Sequence, residues 1–95
     1  MFRKKQSINE NKKLFLIKSK EITEHKEWIC SMNIFPSGNL ISVSRDKSIK
    51  IYNNLEIIQD IENAHNSDIN YIEIIDENNF ITCSNDKSII FWNKK

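Results

Sequence analysis

Ser, His and Asp are the side chains from which a nucleophilic hydrolase is assembled: the hydroxyl attacks, the imidazole moves its proton and the carboxylate orients the imidazole. This chain carries them twice. His25, Ser42, Ser44 and Asp46 stand in the first half, and His65, Thr82, Ser84 and Asp86 follow forty residues later, with a His-to-Asp separation of 21 in both. The duplication argues against catalysis, because a nucleophile and its base need building only once. No Gly-x-Ser-x-Gly elbow is present, and the lone glycine, Gly38, supplies no oxyanion loop. Phosphate-binding loops and paired metal ligands are missing too, so no enzyme, no cofactor and no metal site is expected. Cys30 and Cys83 stand apart without His or Cys neighbours and are expected to be buried, reduced thiols.

The elements that must position these residues are themselves repeated. Residues 25 to 53 align with 65 to 93 without a gap, and eleven of the 29 pairs are identical, including Ile29 with Ile69, Ile34 with Ile74, Asn39 with Asn79 and Ile41 with Ile81. The densest match sets SVSRDKSIKIYN, from Ser42, against TCSNDKSIIFWN, from Thr82. A period of about 40 residues marks a supersecondary unit that cannot bury its faces alone.

Within each unit the pattern is that of strands. Leu14 to Ile17, and Ile57, Ile58 and Ile61, are short apolar runs leading through polar residues to a histidine. After each histidine comes alternation: Cys30, Met32 and Ile34 against Ile29, Ser31 and Asn33, then Ile72 and Ile74 against Tyr71 and Glu73. Phe35-Pro36-Ser37-Gly38 and Asp76-Glu77-Asn78-Asn79 have the composition of turns, so each leads into a hairpin. The next strands run over 40–44 and 80–84 and break at Arg45-Asp46-Lys47 and Asn85-Asp86-Lys87. A third strand in each copy covers 48–52 and 88–92, rich in β-branched and aromatic residues. No helix is needed. The unit is four short antiparallel strands, the outermost written before the other three.

A histidine near the start, an Asp in the turn before the third strand and an aromatic-Asn pair at its end together resemble the WD40 family of β-propellers, over residues 14 to 95. The Asp-to-aromatic distance is 6 in both copies. Glu24-His25 and Ala64-His65 stand where the family has Gly-His, and Tyr52-Asn53 and Trp92-Asn93 where it has Trp-Asp. The resemblance implies an all-β fold of two four-stranded propeller blades in an incomplete ring, with a hydrogen-bonded tetrad in each. The first is His25, Ser42 or Ser44, Asp46 and Tyr52; the second is His65, Thr82 or Ser84, Asp86 and Trp92. It also implies an interaction scaffold for other proteins. Contacts by position would fall on Lys26, Trp28 and Arg45 in one blade and Asn66, Asp68 and Asn85 in the other. Trp28 leads, since an aromatic beside an arginine is the usual makeup of a binding hot spot; the other reading of Trp28 is a rim residue filling space between blades.

Composition agrees with a globular chain, 39% hydrophobic and 28% charged. The net charge of +1 conceals an asymmetry: residues 1 to 20 hold seven Lys/Arg against Glu10, while the other 75 hold seven against twelve Asp/Glu. Residues 1–13 read as a disordered basic leader, 14–53 as the first repeat and 54–95 as the second, lacking its final outer strand. Arg3, Lys4, Lys5, Lys12 and Lys13 offer a second functional reading, contact with nucleic acid or an acidic membrane surface. No apolar run approaches the roughly 18 residues of a membrane span, and Met1 to Lys20 lacks a signal peptide's apolar region. An intracellular, cytoplasmic protein is expected. Propellers close with four to eight blades, and two are seen here. The chain is therefore expected to be a fragment, or to self-assemble so that its leading strand completes the last blade of another copy.

Overall fold

A computed structural model describes residues 14–94; the basic leader, 1–13, lies outside the described residues. Among the described residues seven strands form two antiparallel sheets, and none is helical. The first sheet contains β1 (Ile29–Ile34), β2 (Leu40–Ser44), β3 (Ile49–Asn53) and β4 (Glu56–Ile61), in that order. The second contains β5 (Ile69–Asp76), β6 (Asn79–Ser84) and β7 (Ile89–Asn93), also in chain order. Sequence repeat and sheet are thus out of step. The strand that opens the second repeat, β4, pairs with β3 and closes the first sheet.

One expected strand is absent. Leu14 to Ile17 lie in no strand, and their exposures run from 77% to 105%. Their counterpart β4 is a strand because β3 offers it a row of backbone partners. Without such a row an apolar run gains nothing from extending, since a strand's polar backbone needs a ladder.

The expected turns separate the strands. Gly38, at φ +97°, closes the β1–β2 turn, where its amide donates to the Phe35 carbonyl at 2.8 Å. In the second sheet Asp76 does this work with its side chain, accepting the Asn78 amide at 2.8 Å. Both inner strands carry a register shift, between Ile29 and Ser31 in β1 and between Ile69 and Tyr71 in β5. Cys30 is the additional residue of the first bulge and is exposed, like Ile29, Met32 and Ile34 of the same strand and contrary to the burial expected for it; Cys83 is half-buried.

The core lies between the sheets. Ile41, Val43, Ile49 and Ile51 come from one face of β2 and β3, where the register sets Ile41 against Ile51 and Val43 against Ile49. They are buried in one cluster with Phe35 and with Ile69, Ile72 and Phe80 of the second sheet. Phe35 meets Phe80 edge to face, and Phe80 stacks with Trp92. Burying side chains of this size contributes about 1.5–3 kcal/mol each.

Candidate functional site

The alternation of β2 turns Ile41 and Val43 into the core, so Ser42 and Ser44 point to the opposite face. There the histidine that precedes β1 meets them. His25 Nε2 lies 2.7 Å from Ser42 Oγ and its Nδ1 lies 3.0 Å from Asp46 Oδ2. The Tyr52 hydroxyl is 3.1 Å from Ser42 Oγ. The second sheet repeats the geometry: His65 Nε2 to Thr82 Oγ1 at 2.8 Å, His65 Nδ1 to Asp86 Oδ2 at 3.1 Å, and the Trp92 indole to Thr82 Oγ1 at 2.8 Å. Of the alternatives left open on β2 and β6, the hydroxyls in contact with histidine are those of Ser42 and Thr82.

Ser44 and Ser84 have a separate task. Each accepts the amide of the turn aspartate, at 2.9 and 3.0 Å, and donates to a carbonyl of the preceding loop, that of Glu27 or Ser67. The turn that follows places Lys47 and Lys87 at φ 71° and 75°, where an L side chain is strained, and each lysine amide donates to the Ser44 or Ser84 carbonyl.

Sequence reasoning passed over Ser48 and Ser88. Each hydroxyl donates to the turn aspartate and sits 3.0 Å from the histidine Nδ1. Their position two residues beyond each aspartate, in both copies, is the signal that marks them. The aspartate is the hub. Asp46 accepts the amides of Lys26 and Ser48, and Asp86 those of Asn66 and Ser88. Burial works against the Asp46 charge, but the Ser48 hydroxyl, the Lys26 amide and His25 outweigh it and hold the carboxyl far below its usual range. Asp86 is held equally low, by the Ser88 hydroxyl first and then by the Asn66 amide.

Hydrogen-bond chemistry assigns a direction to each chain of donors. The carboxylate only accepts, so histidine Nδ1 carries a hydrogen; the Trp92 indole only donates, so Thr82 accepts from it, and a neutral His65 takes the Thr82 hydrogen at Nε2. This resembles a catalytic triad in distances but not in access. Thr82 is 1% exposed and Ser42 6%, and each hydroxyl is already hydrogen-bonded to an aromatic side chain. No group of three or more metal-binding side chains occurs among the described residues.

The six residues named for partner contact lie around the loops that these networks fasten. Lys26, Trp28, Arg45, Asn66 and Asn85 are exposed and Asp68 is half-buried. The Arg45 amide donates to the Trp28 carbonyl, and the Asn85 amide donates to the Asp68 carbonyl. The Arg45 guanidinium stands 4.6 Å from the Trp28 ring centre, and its Nε donates to Asp68 of the second sheet at 2.9 Å. Trp28, 72% exposed, does not fill a gap between the two sheets. Lys50, on β3, was not singled out by sequence: its ammonium is buried and meets Asp60 on β4 at 2.6 Å. Burial opposes that charge, but the Asp60 carboxylate prevails and raises the ammonium's pKa.

Residues 17–53 and 57–93 match the sequence model of the family described as WD domain, G-beta repeat. No curated protein matches the chain. Among solved structures the chain is similar to the crystal structure of the WD40 beta propeller domain of Doa1, with 26% identity and a TM-score of 0.69. That likeness covers 74% of this chain and 24% of the other, so the matched part is about a quarter of that chain's length. Among the described residues no helix is long and apolar enough to cross a membrane.

Proposed function

Because the chain belongs to the WD40 repeat family, we propose that it is a non-catalytic interaction module whose partner is another protein, met at the loops that carry Trp28 and Arg45. The family is generally one of protein-interaction scaffolds and generally non-enzymatic. One observation carries the assignment to these loops: an exposed indole, a guanidinium over its face and a carboxylate of the next sheet form a continuous row across both sheets. Interface hot spots are enriched in tryptophan, tyrosine and arginine, which fill well-packed, desolvated pockets on the partner. Lys26, Asn66 and Asn85 border the row and offer polar contacts around it.

The buried state of the Ser42 and Thr82 hydroxyls supports the non-catalytic part, since a nucleophile must reach its substrate. The reading as a nucleic-acid or acidic-membrane binder depends on leader cations outside the described residues and gains no support from them.

The test is affinity capture with the full chain and with Trp28→Ala and Arg45→Ala, each checked by circular dichroism for an unchanged β signal. A partner retained by the wild type and lost from both variants bears the assignment out. A partner bound equally by all three chains contradicts it.

A further inference from the structure

The chain displays, between its own two sheets, how its faces fit together. Ile41, Val43, Ile49 and Ile51 of the first sheet pack on Ile69, Ile72 and Phe80 of the second, with Trp92 beside them. Each of these two faces occurs once more with much of its apolar surface open, although on one of them Tyr52 is 4% exposed and shares a hollow with Ile22 of the leading segment. On the far side of the second sheet the register sets Ile81 against Phe91 and Cys83 against Ile89. These are the repeat counterparts of Ile41, Ile51, Val43 and Ile49. Yet Ile89 and Phe91 are 65% and 73% exposed, where Ile49 and Ile51 are 0% and 2%. Together with Tyr71 they border an apolar hollow of about 330 Å³. On the far side of the first sheet Ile29, Met32 and Ile34 are 54–56% exposed, while of their counterparts Ile69 and Ile72 are fully buried and Ile74 is half-buried. Leu40 and Tyr52 complete that face, opposite Ile34 and each other in the ladder.

We propose that a second copy of this chain covers the Phe91 face, seating its own Met32 face there as the second sheet seats on the first. Three features fit this occupant. The two open faces are repeat copies of two faces already seen in contact, so strand spacing and twist match by construction. Their sizes compensate: Phe91 adds a ring where the internal interface has Ile51, and Leu40 removes one where it has Phe80. Cys83 and Tyr52 are likewise the smaller counterparts of Val43 and Trp92. On the seated face the Lys50 ammonium is already buried and paired with Asp60, and on the receiving face the Glu73 carboxylate accepts the Tyr71 hydroxyl at 2.8 Å, so docking leaves each with a partner.

The two faces differ, so the contact is head to tail, and each added copy presents the same two faces at its ends. Growth stops when the ring closes. Propellers close at four to eight blades, which corresponds to about two to four copies of a two-blade chain. These surfaces are separate from the Trp28 loops, so the inference stands apart from the partner reading above.

Light scattering on size-exclusion fractions of the full chain tests it, with Phe91→Glu, Met32→Glu and an equimolar mixture of the two. Both side chains are more than half exposed in the single chain, so neither change disturbs its core; circular dichroism verifies the β signal, and Ile89→Lys with Ile34→Lys repeats the test at neighbouring positions. The wild type is expected as one species of two, three or four chain masses, and each variant as a monomer. The mixture is expected to give a one-to-one dimer, because the Phe91→Glu chain keeps its Met32 face and the Met32→Glu chain keeps its Phe91 face. A monomeric or open-endedly polydisperse wild type overturns the proposal, as do variants that assemble like the wild type or a mixture that stays monomeric.

Discussion

The indole nitrogen of Trp92 donates to Thr82 Oγ1 at 2.8 Å, while at the same place in the first sheet the Tyr52 hydroxyl stands 3.1 Å from Ser42 Oγ. Two different aromatic side chains, an indole and a phenol, therefore hold the same hydroxyl position. The expected consequence is that Trp92→Phe, which keeps a ring over Phe80 but deletes the donor, lowers stability by about 1 kcal/mol. Thr82→Val, which also breaks the bond to His65 Nε2, should cost more, but less in the Trp92→Phe background than in the wild type. A double-mutant cycle in urea measures the coupling.

Ser48→Ala is expected to cost more than an average surface change. Its hydroxyl bonds an ionised carboxylate beside a histidine, and a bond to a charged group is worth about 1.5–3 kcal/mol. Ser88→Ala should act in the same direction in the second sheet. Thermal unfolding of the two single variants against the wild type is the check.

Acid should unfasten both loops. Asp46 and Asp86 are held below the ordinary aspartate value, near 3.9, so below that value the unfolded chain binds more protons than the folded one. Their contribution is complete above about pH 5 and is lost as pH falls from about 4 toward the folded-state values. Urea midpoints from pH 7 to pH 2 should trace this decline. The Asp46→Asn, Asp86→Asn double variant should start lower at pH 7 and decline less steeply.

Arg45→Ala should leave stability within about 1 kcal/mol of the wild type, even though it breaks an ion pair between the sheets. Arg45 and Asp68 side chains are 45% and 27% exposed, and ion pairs in that setting are screened. A larger loss in thermal unfolding would assign the pair to holding the sheets together, and its place in a binding surface would lapse.

The all-β architecture was legible because strand alternation and turn chemistry recur at one period, so that each copy checks the other. Single residues were harder. Leu14 to Ile17 have the apolar character of a strand, but pairing depends on a neighbouring edge that no local pattern encodes. Cys30 is expected to be buried as a lone thiol without ligand neighbours, but its strand is an open edge of the first sheet, where Ile29, Met32 and Ile34 are exposed as well. Ser48 and Ser88 sit inside the most similar stretch of the two copies, yet their types suggest only strand entry. Their bridge between Asp and His appears once the turn folds back. Lys50 occupies the place of Ile90, and its burial depends on Asp60 of the adjacent strand.

The central claim is that the repeated aspartate fastens the loops of its own blade. Native-state hydrogen exchange of the full chain and of Asp86→Ala tests it most directly. The amides of Asn66 and Ser88 donate to Asp86 at 2.9 and 2.8 Å, so in the variant both should exchange at least about tenfold faster, the equivalent of a lost bond. Lys26 and Ser48, held by Asp46, should keep their wild-type rates. Unchanged protection at Asn66 and Ser88 would contradict the account.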